Sequence, residues 1–392
     1  MLELKDIKLS YGDKKILEDV NVSFAEGTVS VISGASGSGK SSLIKLLNGV
    51  IPQFVNADVK GGIIVDEEDI SQKDVAARSD FISTVFQNPK SQFYSINTTD
   101  EIVFALENRN LPKDEIVDTV REYTEILGTK KLLDRDIFKL SGGEKQLVAI
   151  TAVACMKQKV YIFDEPSASL DIDAIKRLKS AIKTLKELGK IIIIVEHRLY
   201  YLKDILDKLY AIEDAKLIEL ESVDEESIKR HNLRTLNEIS KQELIEGCKD
   251  FSYRKVSVNN NSTSDLGKED RILSCRNYKY SYMKNRVFDF SIDFSRGIHF
   301  IIGENGIGKS TFVRCLCGLN KGFGKGFYYE NNFIKKPEKL ISLVMQDVNY
   351  QLFTESVLEE ISLVSEDEKL KEDVLVQLLL WDKRQQHPQS LS

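Results

Sequence analysis

The stretch VSVISGASGSGKSSL, residues Val29–Leu43, joins an apolar, β-branched run to a glycine-rich loop and the start of an amphipathic helix. The loop, Gly34–Ser41, fits the pattern GxxxxGK[ST] in the strand–loop–helix context that the pattern requires. Glycines let such a backbone curl around a polyphosphate with its N–H groups pointing inward, and the helix presents its positive end to the same anion. The stretch therefore predicts a nucleotide-binding P-loop on an α/β sheet.

The same order of features returns in the second half of the chain. IHFIIGENGIGKSTFVRCLCG begins at Ile298 and contains a second match to the pattern, Gly303–Ser310. Similar approaches precede the two loops, LSYGDKKILEDVNVSFAEG and YSYMKNRVFDFSIDFSRG, and a glutamine-centred stretch follows each loop, around Gln87 and around Gln346. A repeated order of features indicates a duplicated domain rather than two chance matches.

The predicted organisation has three parts. Residues 1–220 form a first domain with a complete set of motifs, and residues 271–392 form the N-terminal part of a second domain. Between them, residues 221–270 shift to a polar and charged composition and are expected to be a linker, most flexible at NNNSTSD, residues 259–265.

Both P-loops carry the residues that phosphate chemistry needs. Lys40 and Lys309 are expected to reach the β- and γ-phosphates, and the hydroxyls of Ser41 and Ser310 are expected to coordinate Mg²⁺. The predicted nucleotide-binding residues are Gly34, Ala35, Ser36, Gly37, Ser38, Gly39, Lys40, Ser41 and Ser42 in the first half, and Gly303, Glu304, Asn305, Gly306, Ile307, Gly308, Lys309, Ser310 and Thr311 in the second.

Two consecutive carboxylates end the apolar run of VYIFDEPSASLD, residues Val160–Asp171. Successive strand residues point to opposite sides, so the two acids are expected to have different roles. Asp164 would hold the Mg²⁺ shell, and Glu165 would act as general base on the attacking water. The alternative is an acidic pair that merely ends a strand. His197 follows another apolar run, in VEHRL, and could bond to a γ-phosphate or a lytic water, although a histidine in this position is more often structural.

The motif KLSGGEKQLVAI, Lys139–Ile150, predicts a second anion site. Ser141 at a helix cap, followed by Gly142 and Gly143, is suited to grip a phosphate from outside. With the P-loop upstream and the acidic strand downstream, residues 1 to about 220 resemble the ATP-binding domain of ABC proteins.

That resemblance implies further roles. Tyr11 matches the aromatic residue that stacks on adenine, Gln87 matches the glutamine that contributes to catalysis and to the Mg²⁺ shell, and Asp171 matches the D-loop aspartate. In the second half, Tyr282 or Tyr280 is the adenine candidate and Gln346 the nucleotide- and metal-binding glutamine. The implied fold is α/β: two P-loop ATPase domains of ABC type in tandem, the second incomplete. Each half is expected to have a mixed sheet around the P-loop helix, an antiparallel N-terminal lobe and a helical subdomain.

Finer features resemble the ATPases of energy-coupling-factor (ECF) importers. They are FQNPKSQFYSINTTDEIVFALEN, with Gln87 and Gln92, and the VEHRL that carries His197. The resemblance implies an ATPase at the cytoplasmic face of the cell membrane, using ATP and Mg²⁺ to drive import of a vitamin, metal ion or similar solute. Its partners would be a membrane scaffold subunit, contacted near Phe93–Asn108, and a substrate-capturing membrane protein.

The last residues, HPQSLS (387–392), align with the start of the first signature, Leu391–Ser392 falling on Leu140–Ser141. In ABC proteins ATP lies between the P-loop of one domain and the signature of another. The expectation is that the sequence is cut off inside its second signature. The alternative is a natural chain whose first half pairs with an ATPase domain of another chain, the second half serving for docking or regulation.

Composition narrows the competing classes. The formal net charge of −6 argues against a nucleic-acid partner, and five cysteines without a CxxC pair indicate reduced thiols. No apolar run approaches the ~18 residues of a membrane helix, and MLELKDIKLSYG does not read as a signal peptide.

A translation-type tandem ABC protein would resemble DEPTNHLD and VSHD, where this chain has DEPSASLD and VEHR. A genome-maintenance ATPase would need a long coiled coil before Ser141. A non-hydrolysing, nucleotide-dependent assembly subunit remains the alternative from a different class.

Overall fold

The computed structural model describes residues 1–35, 37–89, 92–168, 170–237, 272–282, 286–301, 303, 306–320, 323–345 and 348–391. The chain divides into two compact units, Met1–Lys249 and Asp250–Ser392. Four predicted site residues, Ser36, Glu304, Asn305 and Gln346, lie outside the described residues, as does the larger part of the predicted linker, 238–270.

The first unit contains two sheets. The strands are β1 (Leu2–Tyr11), β2 (Lys14–Phe24), β3 (Val29–Ser33), β4 (Asp58–Val65), β5 (Glu68–Asp69), β6 (Ile82–Val85), β7 (Val160–Asp164), β8 (Ile191–Val195), β9 (Lys208–Glu213) and β10 (Lys216–Glu219). One sheet is antiparallel, in the order β2-β1-β4-β5, and the other has the order β10-β9-β3-β8-β7-β6. In the second sheet all neighbours are parallel except β9 and β10, so the expected mixed sheet and antiparallel lobe are confirmed in this unit.

Helices cover both faces of the mixed sheet. They are α1 (Lys40–Leu47), α2 (Val50–Gln53), α3 (Val75–Arg78), α4 (Thr98–Asn108), α5 (Lys113–Ile126), α6 (Gly142–Cys155), α7 (Ile172–Glu187) and α8 (Glu225–Arg230), with short 3₁₀ turns at Lys130–Leu132, Ile137–Lys139 and Tyr200–Leu202. The signature residue Ser141 begins α6, which packs against α4, α5 and α7, as expected of a helical subdomain.

The central strands are buried on both sides. In β8, Ile192 and Ile194 belong to the core on the α6–α7 side, whereas Ile191, Ile193 and Val195 belong to the core shared with the antiparallel lobe and α1. This alternation explains the unbroken IIIIV run, because a parallel strand covered on both faces needs apolar residues at every position.

The first unit extends beyond the boundary predicted at residue 220. Residues 225–230 form α8, and Ile228 and Leu236 are 1% and 2% exposed within the core on the α6–α7 side. The start of the predicted linker is therefore part of the first unit. Composition misled here because two buried apolar residues suffice to anchor an otherwise charged segment.

The second unit repeats the antiparallel lobe and the P-loop helix. Its strands β11 (Leu273–Tyr282), β12 (Arg286–Phe294), β13 (Phe323–Tyr329) and β14 (Asn332–Ile334) form a sheet in the order β12-β11-β13-β14. Its helices are α9 (Lys309–Leu316), α10 (Val357–Ser362) and α11 (Glu368–Gln377), with 3₁₀ turns at Pro337–Lys339, Val348–Gln351, Trp381–Lys383 and Pro388–Ser390.

The two lobes share an irregularity in their first strands. Asp6 in β1 and Asn277 in β11 have positive φ angles, 52° and 44°. A side chain on the neighbouring strand contacts each of them: Asn21 donates to the Asp6 carboxylate at 3.0 Å, and Ser291 donates to the Asn277 side chain at 3.2 Å. A bulge with the same conformation and the same cross-strand brace supports the duplication read from the sequence.

The second unit differs from the expectation of a mixed sheet. Residues 298–301 and 341–345 occupy the sequence positions of β3 and β6 but form no strand. In the first unit β3 pairs with β8 and β9, and β6 pairs with β7. No strand follows β14 in the described part of the second unit, so these segments have no such neighbours there. Within the described residues of both units, no helix has the length and apolar character to span a bilayer.

Candidate nucleotide-binding and hydrolysis site

The P-loop of the first unit joins the central strand β3 to α1. The Lys40 ammonium donates to the carbonyl oxygens of Gly34 at 3.0 Å and of Ala35 at 2.8 Å, so the loop curls around its own lysine. Lys40 is 5% exposed. Burial lowers the pKa of Lys40, while Glu165 and Asp164 act in the opposite direction. The three groups therefore share one electrostatic environment.

Two glycines give this loop its shape. Gly39, at the cap of α1, has φ 109°, and a Cβ there would lie 2.8 Å from the Ile16 Cγ2 atom. Gly34 has φ 151°, and its Cβ would lie 3.0 Å from both the Ile212 carbonyl oxygen and the Ser38 hydroxyl. That hydroxyl is buried, and it has no hydrogen-bond partner among the residues that the structure describes. The glycine requirement predicted from the sequence thus has a steric cause at both positions.

Asp164 and Glu165 lie at the carboxyl end of β7. Burial, with repulsion from Glu165 as a second cause, raises the pKa of Asp164 to about 6. Glu165 leaves the strand with φ 41°, and its N–H donates to the Val195 carbonyl oxygen at 2.8 Å. The backbone turns at Glu165, so the two neighbouring acids face different surroundings.

The structure brings the three predicted catalytic residues together. Glu165 Oε2 accepts from the Gln87 amide nitrogen at 3.0 Å, and Glu165 Oε1 lies 3.4 Å from His197 Nε2. Gln87 follows β6 and His197 follows β8, so the strands on either side of β7 deliver both partners. Burial, followed by the Lys40 charge, lowers the pKa of His197, which favours the neutral imidazole.

The side chains of Gln92 and Glu101 form a brace of hydrogen bonds near Gln87, which the sequence motifs did not predict. The Gln92 side chain accepts from the Phe86 N–H at 3.0 Å and donates to the Thr84 carbonyl at 3.2 Å. Glu101 accepts from the N–H groups of Tyr94 and Ser95 at 2.9 and 2.8 Å. Together they fix the loop that presents Gln87.

The same brace exists in the second unit. Gln351 accepts from the Met345 N–H at 2.7 Å and donates to the Leu343 carbonyl at 2.8 Å. Glu360 accepts from the N–H groups of Phe353 and Thr354 at 2.9 and 3.0 Å. The signal available in the sequence was the repeat itself, since the glutamine and the glutamate that follow each P-loop are separated by the same number of residues, Gln92 to Glu101 and Gln351 to Glu360.

The signature residues begin α6 as predicted. Ser141 caps the helix, its hydroxyl donating to Glu144 Oε2 at 2.9 Å and accepting from the Glu144 N–H at 3.3 Å. Glu144 Oε1 pairs with Arg135 at 3.0 Å. Gly143 is buried, and a Cβ there would lie 2.4 Å from the Ala174 Cβ. Gly143 is therefore required for the contact between α6 and α7, besides any role toward a phosphate.

Two other predicted residues, Tyr11 and Asp171, each bond to a helix. The Tyr11 hydroxyl donates to the Ser42 hydroxyl at 3.2 Å, which ties the end of β1 to the P-loop helix. The Asp171 carboxylate accepts from the Ala174 N–H at 2.8 Å and caps α7.

The second P-loop resembles the first in the residues that the structure describes. Gly308 caps α9 with φ 112°, and Lys309 donates to the Gly303 carbonyl at 2.6 Å, as Lys40 donates to Gly34. Tyr282 pairs with Arg286 in the sheet register as Tyr11 pairs with Lys14, so its backbone matches the predicted adenine position. The remaining predicted residues of this loop that the structure describes are Gly306, Ile307, Ser310 and Thr311.

These features fit a nucleotide with Mg²⁺. The Ser38 hydroxyl, which has no partner in the described part of the loop, and the cradle that a Cβ would fill at Gly34 suit a polyphosphate. Among the described residues no group of three or more His, Cys, Asp and Glu side chains could hold a metal alone. Mg²⁺ commonly uses one carboxylate together with substrate phosphates, which is what Asp164 with Ser41 and Gln87 would provide.

Known proteins show the same combination of features. The sequence pattern of the ABC transporter family matches residues 17–168, and that of an AAA domain matches residues 273–375. A relative from Treponema denticola, provisionally named an ABC transporter ATP-binding protein, is 35% identical over 405 residues, covering 100% of this chain and 81% of the relative. The chain belongs to the ABC transporter ATP-binding proteins.

Further relatives and solved structures of ABC proteins are also similar to this chain. One from Sulfurisphaera tokodaii with the same provisional name is 28% identical, covering 97% of this chain and 78% of its own. Among solved structures, CbiO1 from Clostridium perfringens, described as part of the ABC transporter complex CbiONQ, has a TM-score of 0.51 and 28% identity, covering 63% of this chain and 94% of its own. A nucleotide-free ATP-binding cassette from an ABC transporter has a TM-score of 0.51 and 26% identity, covering 59% of this chain and 94% of its own.

These likenesses confirm the predicted α/β P-loop ATPase fold of ABC type. They make the chain the ATP-binding subunit of an ABC transporter. ATPase domains of this family bind ATP, generally with Mg²⁺, and act with membrane partners.

Proposed function

We propose that this ABC protein hydrolyses ATP to ADP and phosphate and thereby energises an ECF-type importer of a vitamin, metal ion or similar solute. The observation that carries the proposal is Glu165, held between Gln87 and His197 at the end of β7. A carboxylate between an amide donor and a neutral imidazole, close to a P-loop lysine, is suited to activating a water beside a γ-phosphate.

Each residue then has a defined task. Lys40 and the N–H groups at the start of α1 hold the phosphates, and Asp164, Ser41 and Gln87 hold Mg²⁺, which neutralises charge on the phosphates when bound. Glu165 takes a proton from the attacking water, and His197 orients that water or the γ-phosphate. Tyr11 stacks on the adenine. Ser141, Gly142 and Gly143 grip the phosphate of a nucleotide held by another P-loop, so two domains close around ATP.

A cluster of exposed aromatic and aliphatic residues supports the proposal that a membrane scaffold subunit docks on the first unit. Tyr94 and Ile96 are 79% and 68% exposed, Phe138 is 75% exposed, and the rings of Tyr94 and Phe104 stack at 5.2 Å. They lie within or next to Phe93–Asn108, where a scaffold subunit is proposed to dock. A group of neighbouring apolar side chains so exposed gains free energy when a partner covers it.

The second unit takes part as a tandem copy. It carries its own P-loop around Lys309 and its own brace at Gln351, and Phe353, the counterpart of Tyr94, is 78% exposed. The proposal therefore gives each half a nucleotide and a contact with the scaffold. The complex would sit at the cytoplasmic face of the membrane, together with a substrate-capturing membrane protein.

The decisive experiment is steady-state ATP hydrolysis by the purified chain with Glu165→Gln. Gln keeps the hydrogen bonds but cannot take a proton, so kcat is expected to fall by at least about 100-fold while ATP still binds. Glu187→Gln, an exposed carboxylate near the end of α7, is the matched control and should leave kcat unchanged. Turnover equal in wild type and Glu165→Gln would reject the proposed role of Glu165, and turnover at background level in both would favour a non-hydrolysing assembly subunit.

A further inference from the structure

The loops after β7 and β8 are joined by the two residues on either side of His197. These neighbours are Glu196 and Arg198, which flank His197 in the motif VEHRL. Glu196 is 2% exposed, and Arg198 is half-buried. A carboxylate so deeply buried requires partners that offset the loss of hydration, and they identify what it holds in place.

Each oxygen of the Glu196 carboxylate serves a different loop. Oε1 accepts from the N–H groups of His197 at 2.8 Å and Arg198 at 3.1 Å, which fixes the backbone that carries the imidazole. Oε2 accepts from the Ser167 N–H at 3.3 Å and the Tyr201 hydroxyl at 3.0 Å. Ser167 lies just after Glu165, so one side chain connects the histidine loop with the loop of the general base.

Arg198 adds a second link between the same loops. Its guanidinium donates to the carbonyl oxygens of Ser167 at 3.3 Å and Ala168 at 3.5 Å. Ser167 is therefore held through its N–H by Glu196 and through its carbonyl by Arg198. A loop gripped on both polar groups of one residue has little freedom to move alone.

We propose that Glu196 and Arg198 are positioning residues that make the histidine loop and residues 166–168 move as one body, setting the distance between His197 and Glu165. The inference rests on the ATPase function proposed above. It assigns neither residue contact with ATP or water, so both act through His197 and Glu165. Changing them should alter kcat and leave the affinity for ATP nearly unchanged.

The first test is a double-mutant cycle between Glu196 and His197. Gln at 196 has a single acceptor oxygen, so its NH₂ group must face backbone N–H donors of one loop. Glu196→Gln is expected to lower the single-turnover rate by about 10- to 100-fold, with the KM for ATP changed less than about twofold. In the His197→Ala background the same substitution should cost less than about twofold. An equal loss in both backgrounds would show that Glu196 does not act through His197 and would overturn the proposal.

Arg198 provides the conservative comparison. Lys can keep one of the two bonds to the carbonyl oxygens of Ser167 and Ala168, so Arg198→Lys should retain more activity than Arg198→Ala. Tyr201→Phe removes a bond to Glu196 but leaves the N–H groups of both loops bound, and should stay within about twofold of wild type. Equal activity of the lysine and alanine variants would contradict the proposed link.

Amide hydrogen exchange tests the link without any turnover. In Glu196→Gln and in Arg198→Ala, the amides of Ser167 and Ala168 should exchange about tenfold faster, because a charge-assisted bond to this loop is lost. Unchanged exchange there in both variants would overturn the inference even if the enzyme is active. If wild type itself shows no ATPase activity but the variants still exchange faster than wild type, the link between the loops is upheld and the proposed function is rejected.

Discussion

At the scale of single residues, Asp164 illustrates a conflict between function and stability. Its carboxylate is desolvated beside Glu165, and its pKa is raised from 3.8 to about 6. The charged form needed for Mg²⁺ is thus costly in the metal-free protein. Functional sites of this kind lower the stability of the free protein, since the Mg²⁺ that would offset the cost of the charged carboxylate arrives only with the substrate.

Asp164→Asn should therefore stabilise the metal-free protein at pH 7 by about 1 to 3 kcal/mol, while it weakens Mg²⁺-dependent ATP binding. The folded pKa lies above the unfolded one, so the folded wild type binds the extra proton between pH 3.8 and about 6, and its stability falls as pH rises through that window. Urea unfolding at pH 4 and pH 7 checks this. The advantage of the variant should be absent at the lower pH, and an equal advantage at both would contradict the assignment.

Sequence motifs pointed to residues that the structure places side by side. Lys40, Glu165 and His197 were singled out, and the structure brings Gln87, Glu165 and His197 into one group. Glu196 and Arg198 were missed, because their role comes from partners some 30 residues away along the chain. Nothing local to VEHR distinguishes a buried carboxylate that joins two loops from an ordinary surface charge.

At the scale of elements, the contact of α6 with α7 depends on a missing side chain. A Cβ on Gly143 would lie 2.4 Å from the Ala174 Cβ, too close for any side chain. The sequence suggested this glycine for phosphate binding, and the structure adds a packing reason. The two reasons are separable by experiment.

Gly143→Ala should lower the free energy of unfolding by about 1 to 3 kcal/mol, because the helices must move apart. Adding Ala174→Gly removes the opposing Cβ and should restore much of that loss. Gly142→Ala, at an exposed position, is the control and should unfold like wild type. Denaturant unfolding of the four proteins measures the effect. If Ala174→Gly gives no rescue, the packing role of Gly143 is wrong.

At the scale of the whole molecule, the duplication was visible in the sequence and recurs as matched geometry. The bulges at Asp6 and Asn277 and the braces at Gln92 and Gln351 support it. The mixed sheet of the second half was not found in the described residues, because strand formation depends on neighbours that a local pattern does not reveal. The early start of the linker was misjudged for a similar reason, since Ile228 and Leu236 are anchored by distant residues.

The proposed tandem arrangement predicts two nucleotide sites per chain. Lys309 donates to the Gly303 carbonyl as Lys40 donates to the Gly34 carbonyl, so the two lysines have the same contact with their loops. Equilibrium binding of ATP to wild type should show two sites. Lys40→Ala and Lys309→Ala should each abolish one, since each removes a phosphate-binding charge. Lys383→Ala, in the second unit but outside either P-loop, should leave the stoichiometry unchanged. Two remaining sites in Lys309→Ala would count against a nucleotide role for the second half.

The order of strands in the first unit has a mechanical consequence. The loops that carry Lys40, Glu165 and His197 follow β3, β7 and β8, each of which has a neighbour on both sides. The loop that carries Gln87 follows β6, which stands at the edge of its sheet and pairs with β7. The loops proposed to hold the nucleotide thus follow strands with two neighbours, whereas the Gln87 loop, next to the surface proposed for the membrane partner, follows a strand with one. This order would let a displacement that begins at the phosphate pass to that surface through the edge strand while the central strands keep their neighbours.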